Sequence, residues 1–340
     1  MASPAFPPSS AFSFISQAAI ARAIAAAGIF TTGNLFYVDP VNGNNLNDGK
    51  QAVATPGQQG TGPVQTLAAG YALLTSGNND VLILIGNGAA SGSARISSTF
   101  TWSKNAAHLV GVCSGSWVSQ RARIAPPTTA TAFANFFIVS GNGCVFSNVQ
   151  WFQGFATGIA AEICMTVSGQ RNVFVNCSID GMGDTSASAG AASTTSRNLK
   201  ITAGENLFRH CSIGIDTIAR SVANYSVEFS GNCARNIFED CIFPADATTA
   251  TASYLYTAAA AAIDRYTLFK GCAFINALQS GGTSITGVAT LAASSGGMLV
   301  FQDSWSVGSG NWGADATSKA QIYLAAPIST NAGGLATVAT

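Results

Sequence analysis

Charge is what this sequence has least of. Among its 340 residues only 15 are Lys or Arg and 15 are Asp or Glu, so 9% of the chain is charged and the two signs cancel. Ordinary soluble domains carry roughly 25%. A nucleic-acid binder needs a clustered basic footprint, and nothing here supplies one. Histidine is scarce too: His108 and His210 stand far apart, and no CxxC is present. A metal centre built on Cys and His is therefore not expected, and no cofactor is. No run reaches the length of about 18 apolar residues that a membrane helix needs. The nucleophile-elbow, zincin, P-loop and dinucleotide fingerprints are all missing.

The N-terminus has the look of a secretion signal without its grammar. Arg22 lies inside the apolar run instead of ahead of it, and Gln17 interrupts that run, so no cleavable leader is expected. The eight cysteines are dispersed rather than clustered, which suits free thiols in a reducing host cytoplasm. A surface of so little net charge favours self-association. A homo-oligomer is expected on that ground, a trimer above all.

What the chain does have is an echo. VFVNCSI (173–179), LFRHCSI (207–213), IFEDCIF (237–243) and LFKGCAF (268–274) repeat one phrase, with degenerate copies in VFSNVQW and VFQDSWS. Its Phe falls at Phe146, Phe174, Phe208, Phe238, Phe269 and Phe301, about thirty residues apart. Periods of roughly 20–50 residues mark solenoids and similar arrays. A second phrase, FIVSG, MTVSG, KITAG or VEFSG, precedes several copies, so each unit holds at least two short strands. Segments 82–85 and 110–113 read as earlier, poorer copies.

The phrase also has an internal logic. On a flat strand Phe and the Cys three residues later would face opposite sides. Both are apolar, so the backbone must bend between them. The residue before the Cys then occupies a corner: Asn148, Asn176, His210, Asp240, Gly271 and Asp303. Asn, Asp, His and Gly are the residue types that best tolerate left-handed or bridge backbone. Cys177, Cys211, Cys241 and Cys272 form an internal ladder beside the Phe column.

These phrases resemble the rungs of right-handed parallel β-helix proteins of the pectin-lyase-like superfamily, in which a short corner favours Asn and successive rungs stack like residues. The opening YVDPVNGNNLNDGKQAVATP, with VQTLAAGYALL and DVLILIG after it, resembles the first segment of many such proteins. The resemblance spans about 36–325. It implies an all-β solenoid of six to eight or more rungs, which at about 4.8 Å per rung makes a column of roughly 30–40 Å. The expected organisation is an N-terminal arm and capping helix over 1–35, the β-helix over 36–305, and an extended tail over 306–340.

The fold hosts lyases, hydrolases, tailspikes and inert scaffolds, so it names no activity by itself. With few charges, the leading expectation is a non-enzymatic structural virion protein of a bacteriophage, assembled in the host cytoplasm. It would bind other virion proteins through residues 1–30, without nucleic acid or membrane. The alternative is a tailspike-type depolymerase, a lyase or glycoside hydrolase acting on bacterial surface glycan. For that reading the candidate acids are Asp216 and Asp246, each five residues past its rung's Cys, and Asp180 and Asp184 ahead of a long small-residue loop. Asp240 and Asp303 are assigned to corners. Arg197, Lys200, Arg209 and Lys270 are candidate bases, and Trp151, Trp305 and Trp312 candidate sugar platforms.

Overall fold

The computed structural model describes residues 32–325 apart from 117, 121, 132, 156–158, 160–161, 183–192, 279–281 and 294–296. The expected capping helix before Gly28, the N-terminal arm and Asp184 lie outside the described residues. Short strands, each ended by a corner, gather into three parallel sheets of ten, nine and eight strands. Each turn visits the first, second and third sheet in order, and the eight-stranded sheet counts the complete turns. The chain is a right-handed parallel β-helix.

The first sheet explains the echo. Phe146, Phe174, Phe208, Phe238, Phe269 and Phe301 are in register on successive turns. Their rings stack with centroids 4.6–5.0 Å apart and planes tilted by only 4–13°. That spacing is the distance between neighbouring strands, so the backbone ladder and the ring stack enforce each other. Leu109, Leu82 and Phe36 continue the column below Phe146. The degenerate copies near 82 and 110 are thus turns of the same solenoid.

At the corners Asn148, Asn176, His210, Asp240, Gly271 and Asp303 all have φ between +51° and +63°. Side chains bearing a Cβ resist this region by roughly 1–2 kcal/mol, and short polar ones offset it through local hydrogen bonds. Asn176 Nδ2 donates to Asn148 Oδ1 at 3.2 Å, and Asn148 Nδ2 to Gly111 O at 3.0 Å.

Just past the corner, each thiol of the ladder donates to the carbonyl of the Phe one turn below. Cys177 reaches Phe146 O at 3.5 Å, Cys211 reaches Phe174 O at 3.4 Å, Cys241 reaches Phe208 O at 3.3 Å and Cys272 reaches Phe238 O at 3.4 Å. Ser304 Oγ takes the same role toward Phe269 O at 3.2 Å. The four cysteines are buried and free. Burial pushes the thiols of Cys177 and Cys241 well up, which keeps them protonated as donors.

A second polar ladder escaped the sequence reading. Asn172, Asn206 and Asn236, each two residues before a Phe, are buried. The side-chain oxygens of Asn172, Asn206 and Asn236 accept from the backbone N–H of Cys144, Asn172 and Asn206, at 2.9, 3.0 and 3.0 Å. The signal was present as N-x-F at 172–174, 206–208 and 236–238.

Both ends of the described solenoid carry a short helix. Leu67–Leu73 is capped by Thr66, whose hydroxyl accepts from Ala69 N. Gly70 brings it against the first strand, since a Cβ there would lie 2.4 Å from Val38 Cγ2. At the other end, Asp315 caps Ala316–Lys319. Strand pairing runs through residue 305 and on to Ile322–Leu324, the last strand of the first sheet.

Candidate functional site

The second sheet has two faces of different character. Alternation along its strands turns Trp151, Ile179, Ile213, Phe243 and Phe274 into the core. The positions on either side of them form two outward rows. One runs Arg123, Gln150, Ser178, Ser212, Ile242, Ala273, Trp305. The other includes Phe152 in register with Asp180, then Pro244, Ile275 and Val307.

A cleft of about 240 Å³ opens on this face, lined by Phe152, Asp180, Asp216, Ile242, Pro244 and Ile275 among others. Small-molecule pockets usually measure about 300–1,000 Å³.

Gly214 makes the opening. It follows Ile213, the partner of Ile179, and its N–H donates to Ile179 O at 3.0 Å. Its φ is +135°, and a Cβ there would sit 2.3 Å from Pro244 O. With no side chain beside Asp180, the backbone turns and starts the additional strand Ile215–Arg220, which carries Asp216. The far end of that strand is anchored by buried Arg220. Its Nε donates to Asn224 Oδ1 at 2.7 Å, and its Nη2 to Ser253 O at 2.7 Å. Burial lowers the Arg220 pKa to about 10.

Asp180 is almost completely buried at the base of the cleft, 4% exposed. Its Oδ2 accepts from Gln150 Nε2 at 2.5 Å, while its Oδ1 has no hydrogen-bond partner. Gln150 Oε1 accepts in turn from Arg123 Nε at 2.8 Å. The Arg123 guanidinium lies over the Phe152 ring, 4.4 Å from its centroid. Burial raises the Asp180 pKa to about 7; the Gln150 hydrogen bond and the Arg123 charge pull it down, and the Asp216 charge pushes it up. Asp216 itself is exposed at the rim. Two carboxyl groups in unlike surroundings, close enough to feel each other, can divide acid and base work between them.

The structure therefore brings together one acid from each expected pair. Asp216 and Asp246 lie on neighbouring strands, and Ile215 pairs with Ala245, but the register shifts before the next pair, Arg220 with Ala247. Asp246 is buried with Oδ1 unpartnered and does not line the cleft. The candidate bases face elsewhere, on the first and third sheets. Arg197 and Lys200 pair with Glu228, both at 2.9 Å. Arg209 and Lys270 pair with Glu239 at 2.7 and 2.9 Å. Trp151 is in the core and Trp312 packs against Phe301. Trp305 is half exposed at the end of the outward row. Gln150 and Arg123 went unnoticed in the sequence, because they stand in turns where the repeat is weakest.

No protein-family model matches the sequence, and comparison with curated proteins found no match. Comparison with solved structures did find matches. Pectin methylesterase PemA from Erwinia chrysanthemi aligns with 16% identity over 81% of this chain and 79% of its own, with a TM-score of 0.49. The pectin methylesterase from Aspergillus niger aligns with 12% identity over 89% and 92%, at 0.47. ORF18 of Geobacillus virus E2 aligns with 13% identity over 90% of this chain and 63% of its own, at 0.33.

These findings correct the leading expectation of a non-enzymatic structural virion protein. The solved structures found are mostly enzymes by name, and the alternative expectation, an enzyme acting on polysaccharide, is the one carried forward. Scarcity of charge does not by itself exclude a site. Two acids suffice when neighbouring turns hold them in one cleft. At these identities the likeness concerns the fold, and any chemistry must be argued from the cleft. In fold, the chain is a parallel β-helix similar to the pectin methylesterases.

Proposed function

We propose that this protein is a polysaccharide-modifying hydrolase that binds a glycan along the outer face of its second sheet. The observation that carries this reading is the carboxyl pair: Asp180, buried with a pKa near 7, beside Asp216, exposed in the same cleft. A carboxyl group that still holds its proton near neutrality can hand it to a departing oxygen. Asp216, reached by solvent, supplies the partner carboxylate that attacks the substrate or activates water. The apolar outward positions Ile242, Pro244 and Ile275 offer the faces of sugar rings a track, with Trp305 beyond them.

The test is an assay of purified protein on bacterial capsule, lipopolysaccharide and pectin, following both new reducing ends and released alcohol or acid. Reducing ends signify glycosidic cleavage, and alcohol or acid signifies removal of ester groups. Asp180→Asn and Asp216→Asn should each lower the rate at least about 100-fold, the scale of acid–base assistance, with the fold retained by circular dichroism. Undiminished turnover in both variants, or no product of either kind from a broad set of polysaccharides, overturns the reading.

A further inference from the structure

We infer that Arg123 is a positioning residue that, through Gln150, determines which oxygen of Asp180 carries the catalytic proton; the inference rests on the hydrolase reading above. A glutamine side chain has a donor end and an acceptor end, and either can face a carboxyl group. A guanidinium has donors only. Arg123 Nε must therefore meet the carbonyl end of Gln150, as it does at 2.8 Å. That contact turns the NH2 end toward Asp180 Oδ2, 2.5 Å away. With Oδ2 held as an acceptor, the proton belongs on Oδ1, the oxygen that no protein group occupies.

The relay is built on rigid parts. Arg123 and Gln150 are in register on successive turns, and Asp180 follows on the next. Phe152, in register with Asp180, holds the guanidinium against its ring. Among the described residues, the other titratable groups that interact with Asp180 are Asp216 on the additional strand and Cys164 from the third sheet. The Cys164 thiol donates to the Asp180 backbone carbonyl at 3.4 Å, and after burial the Asp180 charge is the next cause that raises the Cys164 pKa, which keeps that thiol neutral. Arg123 thus acts on Asp180 in two ways of the same sign. Its positive charge favours the carboxylate, and its grip on Gln150 keeps a donor on Oδ2.

The experiment is a carboxyl-carbon NMR titration of the full chain labelled at aspartate, with the Asp180 signal identified by its loss in Asp180→Asn. Wild-type Asp180 should titrate near 7, and Arg123→Met should move that midpoint up by about one unit. Gln150→Leu should move it up too. Because only its charge acts without Gln150, adding Arg123→Met to Gln150→Leu should shift it less than Arg123→Met does alone, the part that passes through Gln150 being lost already. Arg123→Lys, which keeps the charge, should give a smaller shift than Arg123→Met and serves if the latter does not fold. An unmoved midpoint in Arg123→Met, or strictly additive shifts in the double variant, overturns the relay. The titration needs no substrate. A non-additive cycle in a protein that modifies no polysaccharide would keep the relay and remove the hydrolase.

Discussion

A buried carboxyl group that keeps its proton weakens the fold as the solution becomes more basic, and Asp180 should show it. In the unfolded chain an Asp titrates near about 3.9, whereas in the folded protein Asp180 titrates at about 7. Between those values the folded state holds a proton that the unfolded state has released. Stability from this group is complete below the unfolded value and is lost as pH rises through the folded one. Three units correspond to about 4 kcal/mol at most. Urea unfolding at pH 5 and pH 8 should therefore show wild-type protein losing stability with pH, and Asp180→Asn losing distinctly less. A wild-type curve no steeper than that of Asp180→Asn would mean the carboxyl group is not held neutral. A site residue that costs stability is what acid–base chemistry at neutral pH requires.

The turns of the solenoid stand or fall through their columns. Phe238 touches Phe208 below and Phe269 above, and leans on Phe229 and Phe243 from the other two sheets. Removing its ring leaves a hole that stacked neighbours on a fixed ladder cannot close, so Phe238→Ala should cost about 3–5 kcal/mol. The midpoint of urea denaturation measures it, and a loss under about 1 kcal/mol would show that the column is not what holds the turns together. This column was legible in the sequence because every turn asks the same of the same position. The corner residues were legible for the same reason, and N-x-F would have been had it been tallied. The cleft was not. Gln150, Asp180 and Asp216 occur once each, in three turns and at three offsets from the corner. Counting from the Cys paired Asp216 with Asp246, since the count assumed an undisturbed register. The register holds one residue past Gly214, where Ile215 pairs with Ala245, and shifts before Arg220 pairs with Ala247; Asp216 is exposed at the rim and Asp246 is buried. A repeat announces its architecture through what recurs and its site through what does not.

At the scale of the whole molecule, the second sheet carries successive strands from the carboxyl pair to Trp305. Asp180 belongs to the Phe174 turn and Trp305 to the Phe301 turn, four strand spacings away, or about 19 Å at about 4.8 Å each. The outward positions in between, Ile242, Pro244, Ala273 and Ile275, are uncharged and only partly covered or small. A glycan of one or two units seated at Asp180 cannot touch Trp305, whereas a chain of several units lying along the face can. Covering about 40 Å² of the Trp305 ring by such a chain contributes roughly 1 kcal/mol at about 25 cal/mol per Å², which is about a fivefold change in affinity. Trp305→Ala should therefore raise KM by about that factor for long polysaccharide and leave kcat in place, since Trp305 is far from the reacting bond. On the shortest oligosaccharide that is still turned over, the same variant should behave as wild type. The measurement is a comparison of KM across a length series. An equal effect on short and long substrates would place Trp305 in the folding of the last turns, and no effect on either would mean that the glycan leaves the sheet before it reaches them.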